Sequence, residues 1–145
     1  MTSAELVNLA KLGRLKEEPP SRREYEGLVR LGESRLADAG NEALSLESRF
    51  DLAYGASHSL ALAALRRAGY RSENRALVFQ TLPHTLGTPN AVWRVLTKGH
   101  EKRNLSEYEG WYETDERLVS DVIAAAKAVR DSLRALGPLE EFATP

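Results

Sequence analysis

From Ser45 to Ala68 the chain sets Leu46, Phe50, Ala53, Tyr54, Ser57, Leu60, Ala61, Ala64 and Leu65 at steps of three and four, with no proline between them. That spacing fits the helical repeat and fails the strand repeat of two, so it predicts one long helix. Arg66 and Arg67 fall at the negative end of its dipole, and Gly69 is a natural residue to follow its C-cap. Ala53, Ala56, Ala61, Ala63 and Ala64 present almost no side chain, so a neighbouring helix can approach closely. The segment is therefore expected to be the central helix of the core.

The flanking sequence carries the same period. Thr2 or Ser3 can cap a short first helix bearing Leu6, Val7, Leu9, Ala10 and Leu12, ended by Gly13, and Pro19-Pro20 then makes an extended joint. Ser21 with Glu24 has the form of a capping box ahead of Tyr25, Leu28, Val29, Leu31, Leu36 and Ala39, a second helix running to Gly40. Its surface charges Arg22, Arg23, Glu26, Arg30, Glu33 and Arg35 fall at pairing distances. Ser72–Leu86 reads as a fourth helix, bent or ended near Pro83. Thr88-Pro89 reads as an N-cap and first-turn proline for a fifth segment reaching Gly99, followed by a polar block from His100 to Glu113. Thr114 caps a last helix whose buried face is Leu118, Val119, Val122, Ile123, Ala126, Val129, Leu133 and Leu136, ended by Gly137-Pro138. No hairpin dipeptide flanked by strict alternation occurs. The expected fold is all-α, an antiparallel up-and-down helical bundle with additional short helices, forming one domain over 1–145 with its core at about 20–136 and a loose tail at 137–145.

Bulk chemistry narrows the function classes. The 20 basic and 21 acidic residues leave a formal net charge of -1, so any nucleic-acid contact must be local. The absence of cysteine removes disulfides, thiolate nucleophiles and cysteine-ligated zinc, which fits a reducing cytoplasmic setting. No apolar leader core or membrane-length window is present, so a soluble protein is expected. Phosphate-binding glycine loops, paired metal-binding histidines and nucleophile elbows are missing as well. Neither a metal nor a cofactor is expected.

The segment Arg103-Asn104-Leu105-Ser106-Glu107-Tyr108-Glu109-Gly110 concentrates groups that grip phosphate. Arg103 supplies a planar fork, and Asn104 and Tyr108 can both donate and accept hydrogen bonds. His100, three residues before Arg103, is a general-base candidate if both face one cleft. Trp111 and Tyr112 can stack on bases. Each feature has a structural alternative: Arg103 can pair with Glu107 four residues on, and Trp111 can staple the loop to the bundle. His58, one turn after Tyr54, is either a core histidine or a proton acceptor in a pocket. His84 reads as a polar cap on a helix end.

Three runs together resemble a HEPN domain: Asp51-Leu52-Ala53-Tyr54-Gly55-Ala56 within the long helix, Arg66-Arg67-Ala68-Gly69-Tyr70-Arg71 at its close, and Arg103-Asn104 with Glu107-Tyr108-Glu109-Gly110 before the last helix. The likeness spans about residues 20–136. It implies a helical bundle, commonly a homodimer, with the arginine motif at a cleft between protomers. Active members are metal-independent RNases, often toxins paired with a nucleotidyltransferase-type antitoxin, and others are noncatalytic RNA-binding or interaction modules. The family motif is an arginine, usually a polar residue after it, and a histidine four to six positions on. Arg103 and Asn104 match its start, whereas Tyr108 stands where the histidine is expected, and an ordinary phenol with a pKa of about 10 is a poor base at neutral pH. Arg94 and His100 give a second match by spacing alone. The expectation is an RNA-binding or interaction homodimer, noncatalytic or weakly catalytic, with Arg103, Asn104, Tyr108 and His100 as candidate catalytic groups. Arg103, Asn104 and Trp111 are the candidate RNA contacts, and the alternative is a metal-independent endoribonuclease toxin.

Overall fold

The computed structural model describes residues 3–109 and 114–140, with the side chains of 107–109 excepted. Among these residues the fold is all-α, seven helices with one minimal two-stranded ribbon. They run α1 (Ala4–Lys11), β1 (Lys16–Glu17), α2 (Arg22–Ala39), α3 (Leu46–Arg67), β2 (Tyr70–Arg71), α4 (Arg75–Gln80), α5 (Leu82–Thr85), α6 (Asn90–Glu109) and α7 (Glu116–Leu136). None of the described helices is long and apolar enough to cross a membrane.

The central helix is α3. Phe50, Ala53, Tyr54, Leu60, Ala61, Ala63 and Leu65 are all buried, so the helix is enclosed on most of its circumference. Each large apolar side chain removed from water in this way stabilises the fold by about 1.5–3 kcal/mol. Its tightest neighbour is α2, and the reason is Gly32: a Cβ there would come within 2.6 Å of Leu60 Cγ. Any larger residue at 32 would force the pair apart. On the other side α7 packs Leu118, Val119, Val122, Val129 and Leu133 into the same core, which extends from Leu6 to Leu139.

Local signals fix several helix starts. Ser21 Oγ accepts from the Glu24 amide at 3.2 Å, Ser45 Oγ from the Ser48 amide at 3.1 Å, and Asn74 Oδ1 from the Leu77 amide at 3.0 Å. The last helix is capped by Asp115, not Thr114, through a 2.7 Å bond from the Leu118 amide to its carboxylate. A carboxylate at that position gains more from the positive helix end than a hydroxyl does.

Three expectations need correction. Gly99 does not end a segment: α6 runs through it, because Gly99 is buried against α7, where a Cβ would touch Val122 at 3.4 Å. The His100–Glu109 part of the expected polar block is thus helical. The stretch 72–86 holds two short helices, with Thr81 closing α4 and opening α5, and Pro83 sits in the first turn of α5, where its missing N–H costs nothing. Thr88 does not cap α6 through its side chain, since its hydroxyl is buried with no hydrogen-bond partner among the described residues.

The ribbon was invisible to periodicity because a salt-bridge node, not alternation, holds it. Lys16 pairs with Arg71 and Glu17 with Tyr70, antiparallel, and Gly69 makes the turn into β2 at φ +94, a conformation open to glycine at little cost. Behind it lies Arg66, 1% exposed, donating to the Glu18 carbonyl at 3.0 Å, the Pro19 carbonyl at 2.8 Å and the Tyr70 carbonyl at 3.3 Å, and to the Glu24 carboxylate. Arg71 bridges Glu18 and Glu24 from the other side. The capping-box expectation is therefore half met: Ser21 caps, but the Glu24 side chain is drawn to two guanidiniums. Each guanidinium offers the carboxylate a full opposite charge, whereas the backbone amide at the cap offers only a dipole.

Candidate functional site

At the outer end of the bundle, α2, α3, α4 and α6 surround an open cleft of about 560 Å³ lined in part by Arg35, Tyr54, Gly55, Arg75, Arg103 and Ser106. Asp51 is the carboxylate of this described lining. Each arginine reaches it for a local reason. Arg35, on α2, lies across Gly55 of α3, where a Cβ would sit 3.4 Å from its Nη1. Arg75 is the first residue of α4, oriented by the Asn74 cap. Arg103 projects from α6 with its guanidinium carbon 5.0 Å from the centre of the Tyr54 ring, and that of Arg75 lies 5.8 Å from the same centre. Two cations thus share one aromatic ring, and a ring quadrupole stabilises each.

Behind the cleft the aromatic groups form one packed cluster. Tyr54 and His100 are stacked at 6.1 Å, and Phe79 stands edge-on to Tyr54 at 5.9 Å, to His100 at 6.4 Å and to His58 at 6.1 Å. His100, Arg103 and Asn104 occupy one face of α6 because they are three and four residues apart. Tyr54 Oη lies 2.8 Å from His100 Nδ1, and Asn104 Nδ2 lies 3.2 Å from His100 Nε2. With an amide nitrogen facing Nε2, that ring nitrogen must accept, so the neutral imidazole carries its proton on Nδ1 and donates it to Tyr54.

Charge and burial keep both histidines neutral. For His58, burial comes first, followed by the charges of Arg75, of His100 when it is protonated, of Arg103 and of Arg35, and together they push its pKa down to about 4. For His100, burial again leads, with Arg103 and Arg75 adding to it and Glu101 opposing, and the net shift is downward. The arginines that line the cleft therefore act on histidines contributed by two different helices.

The structure brings together three of the residues singled out from sequence, His100, Arg103 and Asn104, around Tyr54. His100 shares a helix face with Arg103 but is not among the residues lining the cleft, and both of its ring nitrogens are engaged within the protein. The side chains of Tyr108 and of Glu107, the partner suggested for Arg103, lie outside the described residues, as do Trp111 and Tyr112. Arg94 points elsewhere, its guanidinium 5.7 Å from the Trp93 ring. His84 is exposed on α5, with no side-chain hydrogen bond among the described residues, so it does not cap a helix end. Sequence reasoning gave Arg35 only a surface pairing role and gave Arg75 none. The usable signal for Arg35 was Gly55, since a glycine inside a helix that costs about 1 kcal/mol relative to alanine marks a close approach. Among the described residues no group of three or more His, Cys, Asp or Glu side chains is placed to hold a metal ion.

No family model, curated protein or solved structure matches this chain.

Proposed function

We propose that this chain is a HEPN-like single-domain module, cytoplasmic and homodimeric, that binds RNA at the arginine cleft and is noncatalytic or weakly catalytic. The observation that carries the reading is the convergence of Arg35, Arg75 and Arg103 from three helices on one open cleft. In a chain with a formal net charge of -1, such a local concentration of guanidiniums supports a specific polyanion site over a diffuse one. The engagement of both His100 nitrogens supports binding over rapid proton transfer, since a base must first release a partner.

The rival reading is a metal-independent endoribonuclease, the toxin of a pair neutralised by a nucleotidyltransferase-type antitoxin. It is favoured by one feature, a neutral histidine and a phenol beside Arg103. In that reaction a ribose 2′-hydroxyl attacks the adjacent phosphate, Arg103 stabilises the developing charge, and His100 or Tyr108 handles the proton. Incubating the purified protein with mixed RNA and EDTA separates the two. The binding module retains RNA without cleaving it, and Arg103→Ala weakens retention by about tenfold or more. Cleavage that survives EDTA and disappears in Arg103→Ala would establish the enzyme instead. Light scattering tests the homodimer, which should weigh twice the 16.1 kDa of one chain.

A further inference from the structure

The outer face of α2 carries charges on the wrong ends of its own helix. Arg23 lies in the first turn, where the helix dipole is positive, and Asp38 in the last, where it is negative. Both residues are exposed, and among the described residues neither side chain forms an ion pair or hydrogen bond, although Arg22 and Glu33 of the same helix pair with Glu26 and Arg134. The opposite end of an antiparallel copy of α2 would stabilise each of them.

The residues between them fit such a copy. Arg23, Gly27, Leu31, Ser34 and Asp38 recur at steps of four, four, three and four, so they form one stripe, and all five are exposed. Leu31 is an apolar side chain left 42% exposed. Gly27 adds a separate signal. The described helices contain three other interior glycines, Gly32, Gly55 and Gly99, and a Cβ at each would lie 3.4 Å or less from a side chain of this chain. A Cβ at Gly27 would meet no described atom within 4 Å, so packing within the chain does not account for it. A helix glycine weakens its own helix and lets another backbone come close.

One register satisfies all of these groups. When two α2 helices lie antiparallel with Arg23 opposite the partner's Asp38, Gly27 falls opposite the partner's Ser34, and Leu31 meets its own copy at the two-fold axis. Each charge then rests beside the dipole end that favours it. A two-fold interface requires just this complementarity of one patch to itself.

We infer that the outer face of α2 is the homodimer interface, two copies of this helix packed antiparallel in that register. The inference rests on the homodimer part of the proposed function and names the surface that makes it. Two helices of 18 residues give a contact at the small end of stable interfaces, so the dimer should dissociate in roughly the micromolar range.

Sedimentation equilibrium of the full chain at low salt, over roughly 1–100 μM, reads the mass. Arg23→Glu and Asp38→Arg each set like charges together at both ends of the interface and should weaken the dimer by about tenfold or more. An equimolar mixture of the two variants restores opposite charges at both ends and should recover a heterodimer near the parent's affinity. Gly27→Leu should abolish the dimer, while its thermal unfolding midpoint, compared at a dilution where the parent is monomeric, should not fall, because its side chain enters open space in the single chain. A parent that stays at 16.1 kDa throughout would overturn the inference and the homodimer reading together. A dimer indifferent to the reversals and to Gly27→Leu would overturn the inference and leave the homodimer standing, as would reversals whose weakening the mixture does not repair.

Discussion

Two arginine clusters lie at opposite ends of α3, and they solve opposite problems. At its C-terminal end Arg66 is 1% exposed and meets two carboxylates and three backbone carbonyls, and Arg71 completes the ring with Glu18 and Glu24. Toward its N-terminal end Arg35, Arg75 and Arg103 border an open cleft, and Arg75 and Arg103 lie over an aromatic ring. Neither Arg35 nor Arg75 forms an ion pair with a described carboxylate. The first cluster is satisfied by its own chain, as a buried charge must be. The second borders an open cavity, and Arg75 and Arg103 add to burial in lowering the pKa of both neighbouring histidines. Identical side chains thus serve as internal scaffold at one end and line an open cleft at the other.

The sharpest way to break this contrast is to remove Arg66. Arg66→Met leaves Glu18 and Glu24 with one guanidinium and strands the carbonyls of Glu18, Pro19 and Tyr70. Breaking a buried pair by deleting one partner costs about 3–5 kcal/mol, and because both carboxylates are about a third exposed and can rehydrate, the lower end applies. Urea unfolding should show that loss as a lower midpoint with an unchanged slope. A change below about 1 kcal/mol would mean the node is ornamental.

Acid should attack the two clusters in different windows. His58 has a folded-state pKa of about 4 against an ordinary value near 6.5, so between those limits the unfolded chain binds more protons. Stability is therefore fully present above pH about 6.5 and falls as pH drops toward 4, by on the order of 3 kcal/mol. His100, shifted the same way, adds to that loss. The node behaves differently. At Glu18 the hydrogen bond from Arg71 leads in lowering the pKa. At Glu24 burial raises it, but the bonds from Arg71 and Arg66 outweigh burial. Their contribution is present above the ordinary carboxylate value of 4.5 and is lost as pH falls through the lowered folded values. Thermal unfolding followed from pH 7 to 3 should decline in two stages, and His58→Asn should flatten the first and spare the second. A single decline unaffected by that substitution would show that His58 is not held neutral.

Tyr54→Phe tests the link between core and cleft. It deletes the 2.8 Å bond with His100 and keeps the ring under the arginines, so the expected cost is about 1 kcal/mol. The Asn104 contact to the other ring nitrogen should persist and keep the proton on Nδ1, visible in the histidine nitrogen shifts as an unchanged tautomer.

What sequence alone made legible follows the range of each interaction. The caps at Ser21 and Ser45 and the long repeat of α3 could be read because their causes lie within one or two turns. Gly99 was read as punctuation because glycine usually is, but its actual reason is Val122 on another helix. The Arg66–Glu24 pairing, which pulls Glu24 away from the cap box, joins residues far apart in the chain and leaves no local mark. The candidate site divides in the same way. His100, Arg103 and Asn104 are neighbours on one helical face and were legible as a group. Tyr54, Arg35 and Arg75 enter from three other helices, and only packing brings them to it.

The smallest effect on stability is expected at Arg75, and its size is what separates the two clusters. The side chain is exposed at the start of α4, and its one described packing interaction is with the Tyr54 ring at 5.8 Å, worth about 0.5–1 kcal/mol at an exposed site. Its charge also opposes protonation of both His58 and His100, so removing it eases that protonation in acid and leaves the neutral histidines at pH 7 unaffected. Arg75→Gln should therefore lower the unfolding free energy by no more than about 1 kcal/mol at neutral pH. In an NMR titration the His58 pKa should move upward from about 4 toward its ordinary value. Stability lost on the scale of Arg66→Met would make Arg75 another structural cation. An unmoved His58 would mean that its field never reached the cleft interior.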